Sequence, residues 1–451
     1  MEERIIELLC EKKFNELKNI LSEMNSADLV EYLEAVPKDQ LILVFRLLPK
    51  ELAADVFVEM DNDQQMLLVS AFTDKELTAV LDELFVDDFA DIVEEMPAVV
   101  AKRMLKNTDS QTRRTVNQIL AYPEDSAGSI MNTEYVDLKK SMTVAAAFER
   151  SRRIGIDKET IYTCYVTDAK RNLIGVISAR QLMLAESETL IGDIMEADPI
   201  FAYTYDDKES VANMFDKYDM LALPIVDNEK RLIGIVTVDD AIDVLQEEAT
   251  EDIEKMAAIL PTEKSYLKTS VLEIFRSRIL WLFILMISAT FTGMIITSFE
   301  NALASSVVLT AFMPMLMNTG GNSGSQASVT VIRALSLGEV EFRDIFRVLW
   351  KELRVSILCG VVLSALNFVK MWLFDMMLLG TEGINLGVIV VVNLTLLCTV
   401  FIAKLVGCAL PIVAKKLKLD PAVMASPFIT TIVDAISLII YFTIATQVLK
   451  L

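Results

Sequence analysis

One carboxylate is conspicuous for its surroundings. Asp434 lies in SPFITTIVDAISLIIYF, with thirteen uncharged residues before it and fifteen after. An ionised side chain inside lipid costs at least a few kcal/mol, so such a residue is by default functional. Thr430, Thr431 and Ser437 lie within a helical turn and add oxygen atoms that suit a hydrated cation path. Lys404 is the other charge in an apolar run, and its long stem is expected to snorkel toward the nearer membrane face. The whole chain carries 64 Asp and Glu against 42 Lys and Arg, a net charge of −22, and no histidine. Without imidazole there is no Ser-His-Asp or Cys-His catalysis and no His-containing zinc or copper site. Cysteines 10, 164, 359, 398 and 408 form no CxxC pair, and three lie in apolar runs, as reduced, buried thiols would. No catalytic constellation is present. Phosphate binding by nucleic-acid partners needs clustered Lys and Arg, so an acidic chain points to cations and not to nucleic acid.

Asp434 needs a membrane around it, and residues 270–451 supply five expected spans. Ile279 to Ser298 runs twenty residues without a charge, enough to cross a bilayer core of about 30 Å. A second uncharged stretch, 301–332, contains Pro314 and TGGNSGS, and is read as broken backbone lining a cavity. Further spans cover 354–374, 384–413 and 422–449. Arg276 and Arg278, the group Arg333, Arg343, Arg347, Lys351 and Arg354, and the group Lys415, Lys416 and Lys418 all fall on one face; the opposite loops, SFENALASS and DMMLLGTEGIN, hold no Lys or Arg. The positive-inside rule then places the N-terminal body in the cytoplasm and, with five spans, the C-terminus outside a cytoplasmic (inner) membrane.

Residues 1–275 hold 55 acids and 29 bases and form an acidic body. Over 1–127 apolar residues recur at three and four spacing, and VPKD and LPKE mark turns twelve residues apart, predicting short helices stacked into a superhelical array. DELFVDDFADIVEEMP puts Asp87 and Asp91 on one helical face. AKRNLIGVISARQLM (169–183) then repeats as NEKRLIGIVTVDDAI (228–242), at an offset of 59. Each copy reads helix, strand, charged turn, strand, helix, with copies at 128–190 and 191–246. A long acidic helix over 241–265, ending near Pro261, connects this body to the membrane. It holds Asp243, Glu247, Glu248, Glu251, Asp252 and Glu254 against one internal lysine, Lys255, so bridging divalent cations would favour its compact packing.

The two copies resemble the cystathionine-β-synthase (CBS) domain, whose Thr/Ser-x-x-Asp motif contacts ribose. That motif stands in copy two as Thr237 and Asp240; copy one has Ser178 and Gln181 instead. PMLMNTGGNSGSQAS inside span two, with the helical domain, CBS pair, acidic helix and final-span Asp in order, resembles the MgtE family of magnesium channels. The resemblance implies a multidomain homodimer in the lipid bilayer: an α-helical N-terminal domain, an α+β CBS pair, a connecting "plug" helix and a five-helix transmembrane domain. It implies Mg²⁺ as cargo and regulator, with ATP a further ligand at the CBS pair. Asp434 and Thr430 would meet the ion in the pore, lined further by Gly320, Gly321, Asn322 and Thr431. The regulatory carboxylates would be Asp87 and Asp91; Asp207, Glu209 and Asp219; Asp240, Asp243, Glu251 and Asp252; and Asp420. Magnesium bound there would hold the pore shut. The alternatives are a coupled divalent-cation transporter using Lys404 and Asp434 as a proton relay, and a membrane-anchored adenylate sensor.

Overall fold

The computed structural model describes residues 5, 7–9, 11–34, 36–262, 266–267, 269–378, 380, 383–424 and 426–450. Cys10, most of the opening MEERIIELLC and the 263–265 end of the expected connecting segment lie outside them. The chain forms two compact units, Met1–Leu245 and Gln246–Leu451.

The first unit begins with short helices: α1 (Phe14–Ser22), α2 (Ser26–Glu34), α3 (Lys38–Phe45), α4 (Lys50–Glu59), α5 (Asn62–Ala71), α6 (Asp74–Leu81), α7 (Val86–Glu95), α8 (Ala98–Lys106) and α9 (Ser110–Ile119). Prolines set several starts: Pro37, Pro49 and Pro97 occupy N-cap positions in extended conformation. Elsewhere side chains cap. Asp61, Thr73 and Asp109 accept backbone N–H groups, and Thr73 with Glu76 completes a capping box. Each helix turns an apolar stripe inward, with Leu17, Leu33, Phe57, Phe89, Met104 and Val116 fully buried.

Two small sheets follow. β1 (Asp137–Lys139), β2 (Thr163–Thr167), β3 (Leu173–Ser178) and β4 (Glu196–Ala197) pair in that order, the first pair parallel and the others antiparallel. β5 (Ala202–Tyr203), β6 (Ala222–Val226) and β7 (Leu232–Thr237) repeat the pattern, parallel then antiparallel. The repeat offset reappears in the register: Thr163 pairs with Ser178 as Ala222 pairs with Thr237, and the ladders slip at Val166/Thr167 and Ile225/Val226. Both hairpin turns close on an aspartate, Asp168 or Asp227, and each carries a left-handed residue, Arg171 or Lys230. Asn132 bridges to Ile235, so the lead-in to copy one joins the sheet of copy two. Helices α10 (Val144–Ile154), α11 (Ala179–Leu184), α12 (Ile191–Ile194) and α13 (Lys208–Tyr218) accompany the sheets, and α14 (Val238–Met256) leaves β7. α14 is shorter than expected: it ends at Met256, followed by a left-handed Ala258 that breaks the helical path before Pro261.

The second unit is helical. It contains α15 (Val271–Ser298), α16 (Glu300–Ser305), α17 (Val308–Ser336), α18 (Ile345–Lys370) running into a π-helical stretch at Met371–Leu378, α19 (Leu386–Lys416) and α20 (Ser426–Leu449). Among the described residues four segments are long and apolar enough to cross a membrane: Val271–Ser298, Phe342–Leu378, Leu386–Lys416 and Ala422–Leu449. α17, where the second of five spans is expected, is long enough but too polar to join them. The expectation of broken backbone there is overturned, because α17 is continuous through Pro314 and the glycine run. Leu309, Phe312 and Leu316 of α17 pack with Val388, Val392 and Leu396 of α19 and Tyr441 and Phe442 of α20. Tyr441 Oη donates to the Leu309 carbonyl at 2.9 Å. α15 is studded with exposed Leu282, Phe283 and Met286, a surface suited to lipid.

Candidate cation sites

In the first unit, α7 buries Val86, Phe89, Ala90, Ile92 and Val93, and the same face draws in Asp87, which is only 6% exposed. A carboxylate so placed needs a donor. Asn132, fully buried, supplies one: its Nδ2 donates to Asp87 Oδ1 and to Glu159 Oε2, each at 3.0 Å. Asp240 enters from the first turn of α14, where it accepts from the Thr237 hydroxyl and backbone N–H. The pair Thr237 and Asp240 thus caps its own helix, as Ser178 and Gln181 cap α11.

Buried negative charge raises every carboxyl of this group. Burial, then Asp240 and Asp88, lifts Asp87 well above the usual carboxylate range. Burial, then Asp240 and Asp239, pushes Asp88 up to about 7; burial, then Asp240 and Asp88, pushes Glu159 up to about 8. Burial, then Asp240 and Asp88, pushes Asp91 up to about 8. Asp240 is raised by burial against the opposing Thr237 hydrogen bond. All-oxygen donors of this kind suit a hard divalent cation. They are not drawn into a ligand cage: among the described residues no three acidic or thiol groups stand within ligating distance of one point.

Asp87, Asp91 and Asp240 are the sequence-predicted residues brought together here. Asp88, Asp239, Glu159 and Asn132 were missed; the DD doublets at 87–88 and 239–240 flag two of them, while Glu159 and Asn132 lie outside the helices and strands, without a periodic signal. Asp243, one turn further along α14, has its pKa raised by burial and by Asp239. Asp207 and Asp219 stand at opposite ends of α13: Asp207 caps it by accepting from the Ser210 N–H, and Asp219 ends it at φ +51°. Glu209 lies in its first turn.

A second group lies wholly in the second unit. Lys255 Nζ sits 2.6 Å from Glu251 Oε1 and 2.7 Å from Asp420 Oδ2, joining α14 to the entry of the last helix. Burial acts against its charge, yet the hydrogen bonds from Asp420 and Glu251 hold its pKa above the ordinary lysine range. Asp252 accepts from Ser336 Oγ at 3.3 Å, and burial followed by Asp420 raises its pKa.

The third setting is the helix trio α17, α19 and α20. Here the glycines act by being small. A Cβ on Gly320 would stand 2.6 Å from Thr399 Cγ2 and 3.0 Å from Val433 Cγ1; one on Gly407 would stand 2.2 Å from the Gly324 carbonyl oxygen. The helices therefore touch backbone to backbone, the small-residue packing typical of membranes. The broken backbone expected at Gly320 and Gly321 is regular helix instead. Ser323 and Ser328 of α17 are buried, but its amide side chains are exposed. Asn318, Asn322, Gln326 and Thr330 follow one another at four-residue spacing, all exposed, with Asn322 donating to Asn318 at 3.2 Å.

On α20, Thr430 and Thr431 hydroxyls donate to the Pro427 carbonyl, and Thr430 Cγ2 lies 2.9 Å from where a Gly321 Cβ would be. Asp434, one turn on, is half-buried, and among the described residues it has neither hydrogen bond nor ion pair. Lys404 does not snorkel. It is 6% exposed and lies 3.7 Å from Glu352 Oε2 of α18, because a buried ammonium needs a counter-charge. Of the four cysteines described, all free, Cys164 and Cys408 are buried, and Cys359 and Cys398 are intermediate.

Comparison with known proteins bears on the whole chain. A family model described as a divalent cation transporter, MgtE, matches residues 313–444; the MgtE intracellular N domain matches 24–125, and the CBS domain 191–247. The magnesium transporter MgtE of Thermus thermophilus is 36% identical over 100% of both chains. The chain belongs to the MgtE family. The Bacillus subtilis magnesium transporter MgtE is 34% identical over 98% of this chain and 96% of that one. Among solved structures, the cytosolic domain of the Mg²⁺ channel MgtE in complex with ATP covers 54% of this chain and 100% of its own, at 36% identity and a TM-score of 0.52. The soluble part of a magnesium transporter covers 55% and 98%, at 28% identity and the same score. This MgtE-family chain thus joins an MgtE-type cytosolic domain and CBS pair to a helical region with four apolar spanning-length helices.

Proposed function

We propose that this chain is a Mg²⁺ channel that admits magnesium across the cytoplasmic membrane and is closed by magnesium on the cytoplasmic side. The observation that carries the reading is the contrast between its two intramembrane charges. Lys404 is matched by Glu352, whereas among the described residues Asp434 has no counter-charge, which suits a group whose counter-ion passes by. The amide stripe at Asn318, Asn322, Gln326 and Thr330 supports it, since four polar side chains on one helix face belong against water or another protomer and not lipid.

α17 completes five spans, and a two-fold homodimer would bring two Asp434 carboxylates to one axis, enough to neutralise a divalent ion held with its waters. Thr430, Thr431, Gly320, Gly321 and Asn322 would flank that path. A membrane potential of 100 mV favours entry of a divalent ion by roughly 4.6 kcal/mol, so no coupling ion is needed. The pairing of Lys404 with Glu352 leaves the proton-relay reading without its second member.

Closure would draw on the acidic groups. Asp87, Asp91, Asp240 and Asp243, with Asp88 and Glu159, form a pool of carboxylates whose pKa values are raised by burial and, after it, by one another's charge. Divalent cations would relieve that repulsion, as they would at Glu251, Asp252 and Asp420 beside α14, the plug element. Asp207, Glu209 and Asp219 are the remaining proposed contributors. ATP is the proposed further ligand, at Thr237 and Asp240. The N-terminal body is taken to be cytoplasmic and the C-terminus external, from the Lys and Arg loops.

The deciding experiment is Mg²⁺ uptake into liposomes, wild type beside Asp434→Ala, with Mg²⁺ on the cytoplasmic face varied. Uptake lost in the variant and shut off by that Mg²⁺ is the expected result. Uptake that follows an imposed proton gradient would make the chain a coupled transporter. No uptake by wild type at low cytoplasmic Mg²⁺ would sink the channel reading.

A further inference from the structure

The acidic first unit contains one strongly basic concavity, beside the edge strand β1 and the end of α10. It has a volume of about 660 Å³ and is lined by Lys139, Arg150, Arg153, Lys158 and Arg171, with Asp137 as its one acidic member. Neither Ser178 and Gln181 nor Thr237 and Asp240 takes part in it. In a chain of net charge −22 such a gathering of like charge opposes its own formation, and each cation is held or left free in a definite way.

Three are fixed by the fold. Arg150 pairs with Asp137 and donates its Nε–H to the Asp137 carbonyl at 2.7 Å. Lys139 donates to Thr167 Oγ1 at 2.6 Å and to the Asp168 carbonyl at 3.3 Å, and shares Asp137 with Arg150, lying 3.6 Å from its Oδ2. Arg171, left-handed at φ +69°, donates to Tyr135 Oη at 3.3 Å and to the Leu232 carbonyl at 3.4 Å. Those acceptors are neutral except Asp137, so most of the positive charge stays uncompensated. Arg153 and Lys158 complete the lining, and among the described side chains neither has a hydrogen bond or ion pair.

We propose that this cleft seats an anion carrying two or more phosphate groups. Planar guanidinium groups bind phosphate oxygens through paired N–H donors, and a lysine adds a point charge. The volume falls within the range of small-molecule sites. The inference is independent of ion conduction and concerns a position separate from the Thr237–Asp240 end of the pair. A free polyphosphate and the phosphate of an anionic lipid headgroup share the required chemistry.

The test is calorimetric titration of the full chain, in phosphatidylcholine nanodiscs with EDTA present, using inorganic pyrophosphate. Saturable binding is expected, weakened about tenfold or more in Arg153→Gln/Lys158→Gln and unchanged in Thr237→Ala. Arg153→Gln and Lys158→Gln taken singly should each weaken it by less, with the ligand-free melting temperature unaltered. Repeating the titration with phosphatidylglycerol in the nanodisc distinguishes the sources: unchanged affinity identifies a soluble anion, and competition identifies the headgroup at the same side chains. Absence of saturable binding, equal binding in the double variant, or loss in Thr237→Ala would overturn the assignment.

Discussion

Asn132 shows how one neutral side chain holds an acidic site together. Its amide spans Asp87 and Glu159, two carboxyl groups that otherwise lack a side-chain donor in that buried space. Asn132→Ala should lower the stability of the first unit by about 1–3 kcal/mol, read as a fall in melting temperature, with added Mg²⁺ recovering part of it. The sequence pattern led to Asp87 and Asp240 because both sit on helices, where spacing predicts a face. It could not lead to Asn132, whose place depends on a bridge to Ile235 more than a hundred residues on. Lys404 misled for a related reason: its neighbours in sequence are apolar, and its partner is on another helix.

At the scale of elements, the glycines of α17 read differently in water and in a membrane. In solution a TGGNSGS run disfavours helix; among packed helices the missing side chains let backbones meet, so the helix persists. Gly407→Ala would drive a methyl group into the Gly324 carbonyl, at a cost of about 1–3 kcal/mol. Gly293→Ala on α15, where a Cβ meets nothing within 4 Å, should instead be neutral or gain up to about 1 kcal/mol. Thermal unfolding of the two variants in detergent measures the difference. The connecting helix offers a second element-scale test. Lys255→Gln removes the ammonium that competes with a cation for Glu251 and Asp420, so under the proposed closure the Mg²⁺ concentration that half-closes the pore should fall by a factor of about two to five in the uptake assay. The extent of α14 is not legible because the helix-compatible residues Ala257, Ala258, Ile259 and Leu260 follow Met256, while the stop is set by the backbone at Ala258.

At the scale of the whole molecule, charge is partitioned: 55 acids against 29 bases over residues 1–275, and 9 against 13 over 276–451. The acidic body should therefore respond to pH. Asp88 and Glu159 are raised to about 7 and about 8, so the protonated forms favour the fold. Their contribution is full below the usual carboxylate pKa and is lost as pH rises through the folded values. Without divalent ions, the melting temperature of the first unit should fall between about pH 5 and about pH 9, by on the order of a few kcal/mol of stability, and Mg²⁺ should flatten the profile. A profile that climbs over that range would contradict the burial of these groups. The repeat was legible at this scale because it rests on periodicity; of the five expected spans, four are apolar helices of spanning length among the described residues, and α17, expected as the second, is long enough but more polar.

The pair formed by Lys404 and Glu352 bears on how the chain is built into its membrane. The two residues belong to successive helices, α18 and α19, and each alone would be an uncompensated charge during insertion. Were they to enter as a hairpin, the two side chains would neutralise each other before either met lipid. A nascent chain ending after α18 should integrate less completely than one carrying both helices, and Glu352→Gln should abolish that difference in a glycosylation-reporter assay of membrane integration.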